Sequence, residues 1–184
     1  MSTRAALRHC VRFEGHRLAL FDALANGFYV VCLLFIFAES VHAEVLTGFV
    51  VGVADGDTVT VLDSENRQHK VRLAGIDAPE SRQAFGSASK QSLVALVFRR
   101  SVAVHWVKTD RFGRIIGTII LGQEDVCLEQ VRRGMAWHYK RFSAEQLPAD
   151  ANAYVQAELA AKASHVGLWR DPNPVPPWEF RKKR

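Results

Sequence analysis

The sequence predicts an α+β domain: a five-stranded Greek-key β-barrel with about three helices. Three observations carry that prediction. Short runs with period-two alternation follow one another between Leu46 and Leu121, a run of helical period interrupts them after the third, and two more helical stretches follow the last.

Each element has its own warrant. Phe49, Val51 and Val53 alternate with Val50 and Gly52, Asp55 Gly56 Asp57 is a turn, and Thr58 to Leu62 is a β-branched second strand. Asp63 Ser64 Glu65 Asn66 is a polar turn, and Gln68 to Ile76 forms the third strand of a meander. From Ala88, Leu93, Val94, Leu96 and Val97 recur at helical spacing, with Arg99 and Arg100 expected at the helix's basic C-terminal end. Val102, Val104 and Trp106 alternate as strand four, Asp110 to Arg114 turns, and Ile115 to Leu121 is strand five. A helix between the third and fourth of five strands is the order of a barrel of the oligonucleotide-binding (OB) type. Asp125 to Arg133 is a short helix stopped by Gly134, and Pro148 to Ser164 a longer alanine-rich one with Gly167 beyond it.

Composition bounds what surrounds this domain. A chain of 184 residues with 48% apolar content and net charge +5 suits one globular domain and excludes a disordered chain. Residues 1–43 are read as a separate export signal. Arg4, Arg8, Arg12 and Arg17 precede an apolar run from Phe28 to Ala38, and Val41 His42 Ala43 places small residues where a signal peptidase reads them. The run falls short of the roughly 20 residues needed to span a bilayer. An uncleaved outward-facing anchor is the alternative, but extending the run back to Leu18 buries Asp22 at a cost of about 3 kcal/mol. The product expected is a periplasmic or secreted monomer that meets the membrane only during export. Cys10 and Cys32 would leave with the signal, so Cys127 has no partner for an internal disulfide. Residues 44–170 then form the domain. Residues 171–184 are a proline-rich, basic tail: Asp171 to Trp178 read as an extended strap that can be neither helix nor central strand, with Trp178 pinning it down, and Arg181 to Arg184 as a solvated end that could add salt-sensitive contacts to a polyanion.

Chemistry concentrates around Arg72 to Glu80. Gly75 inside the third strand is a natural bend and Pro79 a fixed turn, so Arg72 and the carboxylates of Asp57, Asp77 and Glu80 could converge on one side. Three carboxylates together repel unless a cation joins them. Taken alone, Asp55 Gly56 Asp57 is an ordinary hairpin turn, Arg114 a solvated turn residue, and Trp106, Trp137 and Trp169 core. His69, His105, His138 and His165 are scattered singly and read as surface or core residues. Oxygen ligands without cysteine or histidine argue against structural zinc.

Five pieces in fixed order carry a more specific signal: Asp55 Gly56 Asp57 Thr58 Val59; Val71 Arg72 Leu73 through Ile76 Asp77 Ala78 Pro79 Glu80; Asp110 Arg111 Phe112 Gly113 Arg114; Arg133 Gly134 Met135 Ala136; and Gly167 Leu168 Trp169. In these the chain resembles the staphylococcal nuclease, or thermonuclease-like, family from about Thr47 to Trp178. The resemblance implies an SNase-like OB-fold and a Ca2+ ion held by Asp57 and Asp77 with the main-chain carbonyl of Ala78. It further implies Glu80 as general base toward water, and Arg72 and Arg114 on the phosphate. Many relatives carry threonine where Ala78 stands, which a main-chain contact tolerates. A base-stacking role is carried over to Tyr139, although Trp137, His138 and Tyr139 depart from the family's spacing.

The implied chemistry is sound on its own terms. Attack on a phosphodiester anion needs charge cancelled, and a hard cation with two arginines supplies it. Arginine's planar fork grips two phosphate oxygens where lysine grips one. The expectation is a calcium-dependent hydrolase of DNA and RNA with little sequence preference and no protein partner, since phosphate contacts carry no base code. The alternative is a non-catalytic OB-fold module that binds nucleic acid. A pure binder has no use for the full set of Arg72, Glu80, Arg114 and two aspartates.

Overall fold

Runs of β-branched residues build the first half of the domain. In the computed structural model, which describes residues 44–183, β1 (Glu44–Val53) pairs antiparallel with β2 (Thr58–Leu62), and β2 with β3 (Gln68–Leu73). The export signal read from residues 1–43, and Arg184, lie outside the described residues. Strand β1 serves two neighbours, because Glu44 to Phe49 also pair with the later strand Ser101–Thr109. A register shift between Val50 and Gly52 marks a bulge in β1, the kind of irregularity that lets a sheet curl toward closure.

The third strand ends earlier than its hydrophobic pattern suggests. It stops at Leu73, and after a turn through Gly75 the chain resumes as β4 (Ile76–Asp77). Gly75 has φ of 71°, a left-handed conformation that glycine adopts without the penalty a Cβ would bring. Helix α1 (Gly86–Val97) follows, then β5 (Ser101–Thr109), β6 (Ile115–Leu121) and β7 (Glu124–Asp125). Arg99 and Arg100 lie beyond α1 and not in its last turn, since Phe98 is already extended and Arg99 takes φ of 57°.

The strand order is β3-β2-β1-β5-β6, with the two-residue β7 added beside β6, and a parallel pairing of β3 with β6 closes the first five into the predicted five-stranded OB barrel. Closure removes the long exposed edges that would invite pairing with another chain. Val50, Val59, Val61, Val71, Val104 and Ile119 fill the interior, and Leu93, Val97 and Val131 cover it from the helices. Each such side chain contributes about 1.5–3 kcal/mol by leaving water. Cys127 is buried and free.

Helix α2 (Val126–Arg132) begins at Asp125, whose carboxylate accepts from the Cys127 and Leu128 amides at 2.8 and 3.1 Å. Strand β8 (Trp137–His138) pairs with β4 in a separate two-stranded ribbon. Helix α3 (Pro148–Ala163) starts with proline in its first turn. The tail departs from expectation. Residues 171–176 are not helical, but Pro177–Lys182 form a short helix, α4, with Pro177 and Glu179 in its first turn and Arg181 and Lys182 in its last. Trp178 does pack inward as expected, edge-on to Trp137 at 6.4 Å between ring centres.

Candidate active site

The turn between β1 and β2 is held against two helices. Gly56 passes so close to α1 that a Cβ there would collide with Ser89 and Ala78, and its carbonyl accepts from the buried Gln130 amide of α2 at 2.9 Å. The Asp57 main chain is fixed on both sides, its amide to Asp55 Oδ1 at 3.1 Å and its carbonyl to the Leu73 amide at 2.8 Å. The Asp57 carboxylate therefore points inward, accepting from the Ala78 amide at 2.7 Å and from Thr58 Oγ1 at 3.1 Å.

Arg72 joins this acid to the next. It stands on β3 between Thr58 of β2 and Ile116 of β6. Its Nη1 lies 3.0 Å from Asp57 Oδ2, and its Nη2 donates to Asp77 Oδ1 at 2.9 Å. Nη1 also donates to the Leu73 and Ile76 carbonyls at 3.2 and 3.1 Å. The turn at Gly75 makes this possible, bringing Asp77 back toward Arg72 where a straight strand would carry it away. Asp77 is wholly buried.

Glu80 enters through a second guanidinium, that of Arg181 on α4. Arg181 Nη2 donates to Asp77 Oδ2 at 2.7 Å, and its Nη1 to Asp77 Oδ1 at 3.2 Å and Glu80 Oε1 at 2.8 Å. Hydrogen bonds to Asp77 and Glu80 hold this guanidinium above its ordinary pKa. The reading of Arg181 as a solvated tail residue is therefore corrected: it is the link between two of the predicted acids. A signal was present in the prolines at 176 and 177 with Glu179 behind them, a helix start that would carry Arg181 onto a defined turn.

Arg114 and Tyr139 take a different position. The parallel β3–β6 register sets Arg114, one residue before β6, beside β3, and Arg72, Arg114 and Tyr139 line one cavity of about 710 Å3. Arg114 is tied to Asp110 through Nε and Nη2, both at 2.8 Å, and makes no direct bond to the acids. Tyr139 is half-buried and stacks on Trp178, with ring centres 5.4 Å apart and planes 14° from parallel. Arg72 thus bonds Asp57 and Asp77 directly, Glu80 joins them through Arg181, and Arg114 and Tyr139 share only a cavity with Arg72.

The electrostatics bear on a cation. Burial pushes the Asp57 carboxyl up to about 7, Asp55 and Asp77 add to the rise, and Arg72 and the Ala78 amide oppose it. A buried acid so poorly neutralised suits a further positive charge. Among the described residues no three His, Cys, Asp or Glu side chains are grouped to hold a metal by themselves. A cation at Asp57 and Asp77 would complete its shell with main-chain oxygen and water, a mixed oxygen set that fits Ca2+ or Mg2+.

Comparison with known proteins bears on this geometry. Residues 70–171 match the family described as staphylococcal nuclease homologue. The chain is 39% identical over 151 residues to an uncharacterized endonuclease of Haemophilus influenzae, covering 82% of each chain. It is 43% identical over 145 residues to a micrococcal nuclease of Shigella flexneri, covering 73% of this chain and 80% of that one. To protein ParB of Escherichia coli it is 41% identical over 147 residues, 75% of this chain and 80% of the other. The matched span runs from β3, which carries Arg72, past Asp77, Glu80 and Arg114 to the far side of α3, and on this ground the chain belongs to the staphylococcal nuclease homologue family.

Proposed function

We propose that this nuclease hydrolyses the phosphodiester bonds of DNA and RNA with little sequence preference and depends on Ca2+. The observation that carries the reading is Arg72 bonded to the buried Asp57 and Asp77, with Glu80 linked to Asp77 through Arg181, beside a cavity that Arg72 shares with Arg114. Asp57 and Asp77 would hold the cation, with the main-chain carbonyl of Ala78 as a further oxygen donor. When bound there, it would supply Lewis-acid polarisation of the phosphate and acidification of nearby water. Glu80, the most exposed of the three acids, takes the proton of the attacking water. Arg114 presents its guanidinium to the phosphate across the cavity, while Arg72 holds the aspartates in place and offers what remains of its edge to the same phosphate. Tyr139 supplies a ring for a nucleobase. Contacts to phosphate favour no base, hence the low sequence preference. Export completes the proposal, supported by the sequence of residues 1–43, and extracellular calcium sites of 10⁻⁴ to 10⁻³ M affinity are of the order usual there.

Glu80→Gln should leave the protein folded and slow cleavage of plasmid and of RNA by at least about 10²-fold. A calcium chelator should abolish wild-type cleavage, and restored Ca2+ should return it. Near-normal turnover in Glu80→Gln would remove the general base. Cleavage that persists in chelator would remove the cation, and binding without any cleavage would favour the non-catalytic module.

A further inference from the structure

The C-terminal helix and the strap before it cover the site at three points. Arg181 takes both oxygens of Asp77 and one of Glu80. Trp178, one turn earlier, lies flat on the ring of Tyr139. Upstream of the helix, the Gln83 side-chain amide donates to the Val175 carbonyl, and its Oε1 accepts from the Glu80 amide at 3.2 Å, tying the strap to the loop that carries Glu80. These attachments fall on groups that the proposed reaction needs for other purposes. Asp77 and Glu80 cannot give the same oxygens to a guanidinium and to a cation or water, and Tyr139 cannot stack on Trp178 and on a base through one face.

The helix is short. It has six residues, of which Pro177 is buried and Trp178 packs partly buried against Trp137. Arg181 keeps 42% of its side chain exposed while bonded to the wholly buried Asp77. A six-residue helix outside the barrel, carrying exposed charged residues, can open without the barrel unfolding. Its bonds to the site are mainly ionic, and a divalent ion of higher charge density competes for the same carboxylates.

We propose that α4 is an intramolecular cap: Arg181 occupies the Asp77 oxygens that the cation would take and the Glu80 oxygen that faces the attacking water, Trp178 occupies the nucleobase's place on Tyr139, and both ligands enter only when the helix lifts away. This rests on the cation site proposed above. The docked helix reduces apparent cation affinity by the fraction of molecules that are open, so a cap closed in about nine molecules of ten weakens binding tenfold.

The test is calorimetric titration of the purified full chain with CaCl2, comparing wild type, Arg181→Gln and Arg181→Lys, with tryptophan emission followed in parallel. Trp178→Phe identifies the contribution of Trp178. Arg181→Gln should bind Ca2+ on the order of tenfold more tightly than wild type, and Arg181→Lys, which keeps charge but loses the two-pronged grip, should fall between. Calcium should shift Trp178 emission to the red in wild type, and Arg181→Gln should show the shifted emission before calcium is added. Equal or weaker binding by Arg181→Gln, with wild type binding normally, would overturn the cap and leave the cation site standing. No calcium binding by any of the three would overturn both.

Discussion

Arg72 and Arg114 have the same side chain and opposite circumstances. Arg72 spends its terminal nitrogens on two buried aspartates and two carbonyls, so its first effect is to fix the acids. Arg114 is paired with Asp110 and lies over the Phe112 ring, and Arg114 and Asp110 are both partly exposed. Such a pair contributes on the order of 0–1 kcal/mol to stability, so Arg114→Ala should fold almost as well as wild type. Its loss should instead lower kcat by about tenfold or more with a smaller change in KM, because a guanidinium facing the phosphate matters most when negative charge accumulates in the transition state. Steady-state kinetics on a short oligonucleotide would decide this. Unchanged kcat with raised KM would make Arg114 a ground-state binder.

At the scale of elements, the position of Asp57 depends on how closely the β1–β2 turn meets α1. Gly56 is required there by proximity, since a Cβ would overlap Ser89 and Ala78. Gly56→Ala should therefore cost about 1–3 kcal/mol through overpacking, seen as a lower urea midpoint with unchanged slope. It should also reduce cleavage by moving Asp57, and a variant as stable as wild type would show that α1 yields more readily than its packing indicates. The β4–β8 ribbon does similar work for Asp77: Asp77 faces Trp137 in register, and the Tyr139 amide bonds the Gly75 carbonyl at 2.8 Å. Strand alternation and helix periods were legible in the sequence because each depends on neighbours within a few residues. The early end of β3 was half legible, since Gly75 announced a bend but not that Ile76 and Asp77 would join a different sheet.

Across the whole molecule, α3 is joined to the β8 region through Glu158, a buried carboxylate accepting from Lys140 and Lys162 at 2.9 and 3.0 Å and from the His138 amide at 3.2 Å. Burial raises its pKa, and the two lysines more than offset this, leaving it below the ordinary glutamate value. A native pKa below the unfolded one gives stability that is complete above about pH 4.3, the ordinary value, and is lost as the pH falls through the depressed native one. Glu158→Gln should accordingly cost about 1 kcal/mol near pH 7, both lysines being partly in solvent, and progressively less in acid. Urea unfolding at pH 7 and pH 3 would measure it, and a penalty independent of pH would assign the effect to packing. The sequence by itself determined the barrel and the number of long helices, because strand and helix periods and turn residues are local, and its motifs named Asp57, Asp77 and Arg72, which the fold brings together. It did not determine Arg181 on Asp77 and Glu80, partners 104 and 101 residues away, or Trp178 on Tyr139. Those pairings exist only after the barrel has closed and brought α4 back across Asp77, Glu80 and Tyr139, and no local preference of a basic tail distinguishes a guanidinium in water from one seated on a buried carboxylate.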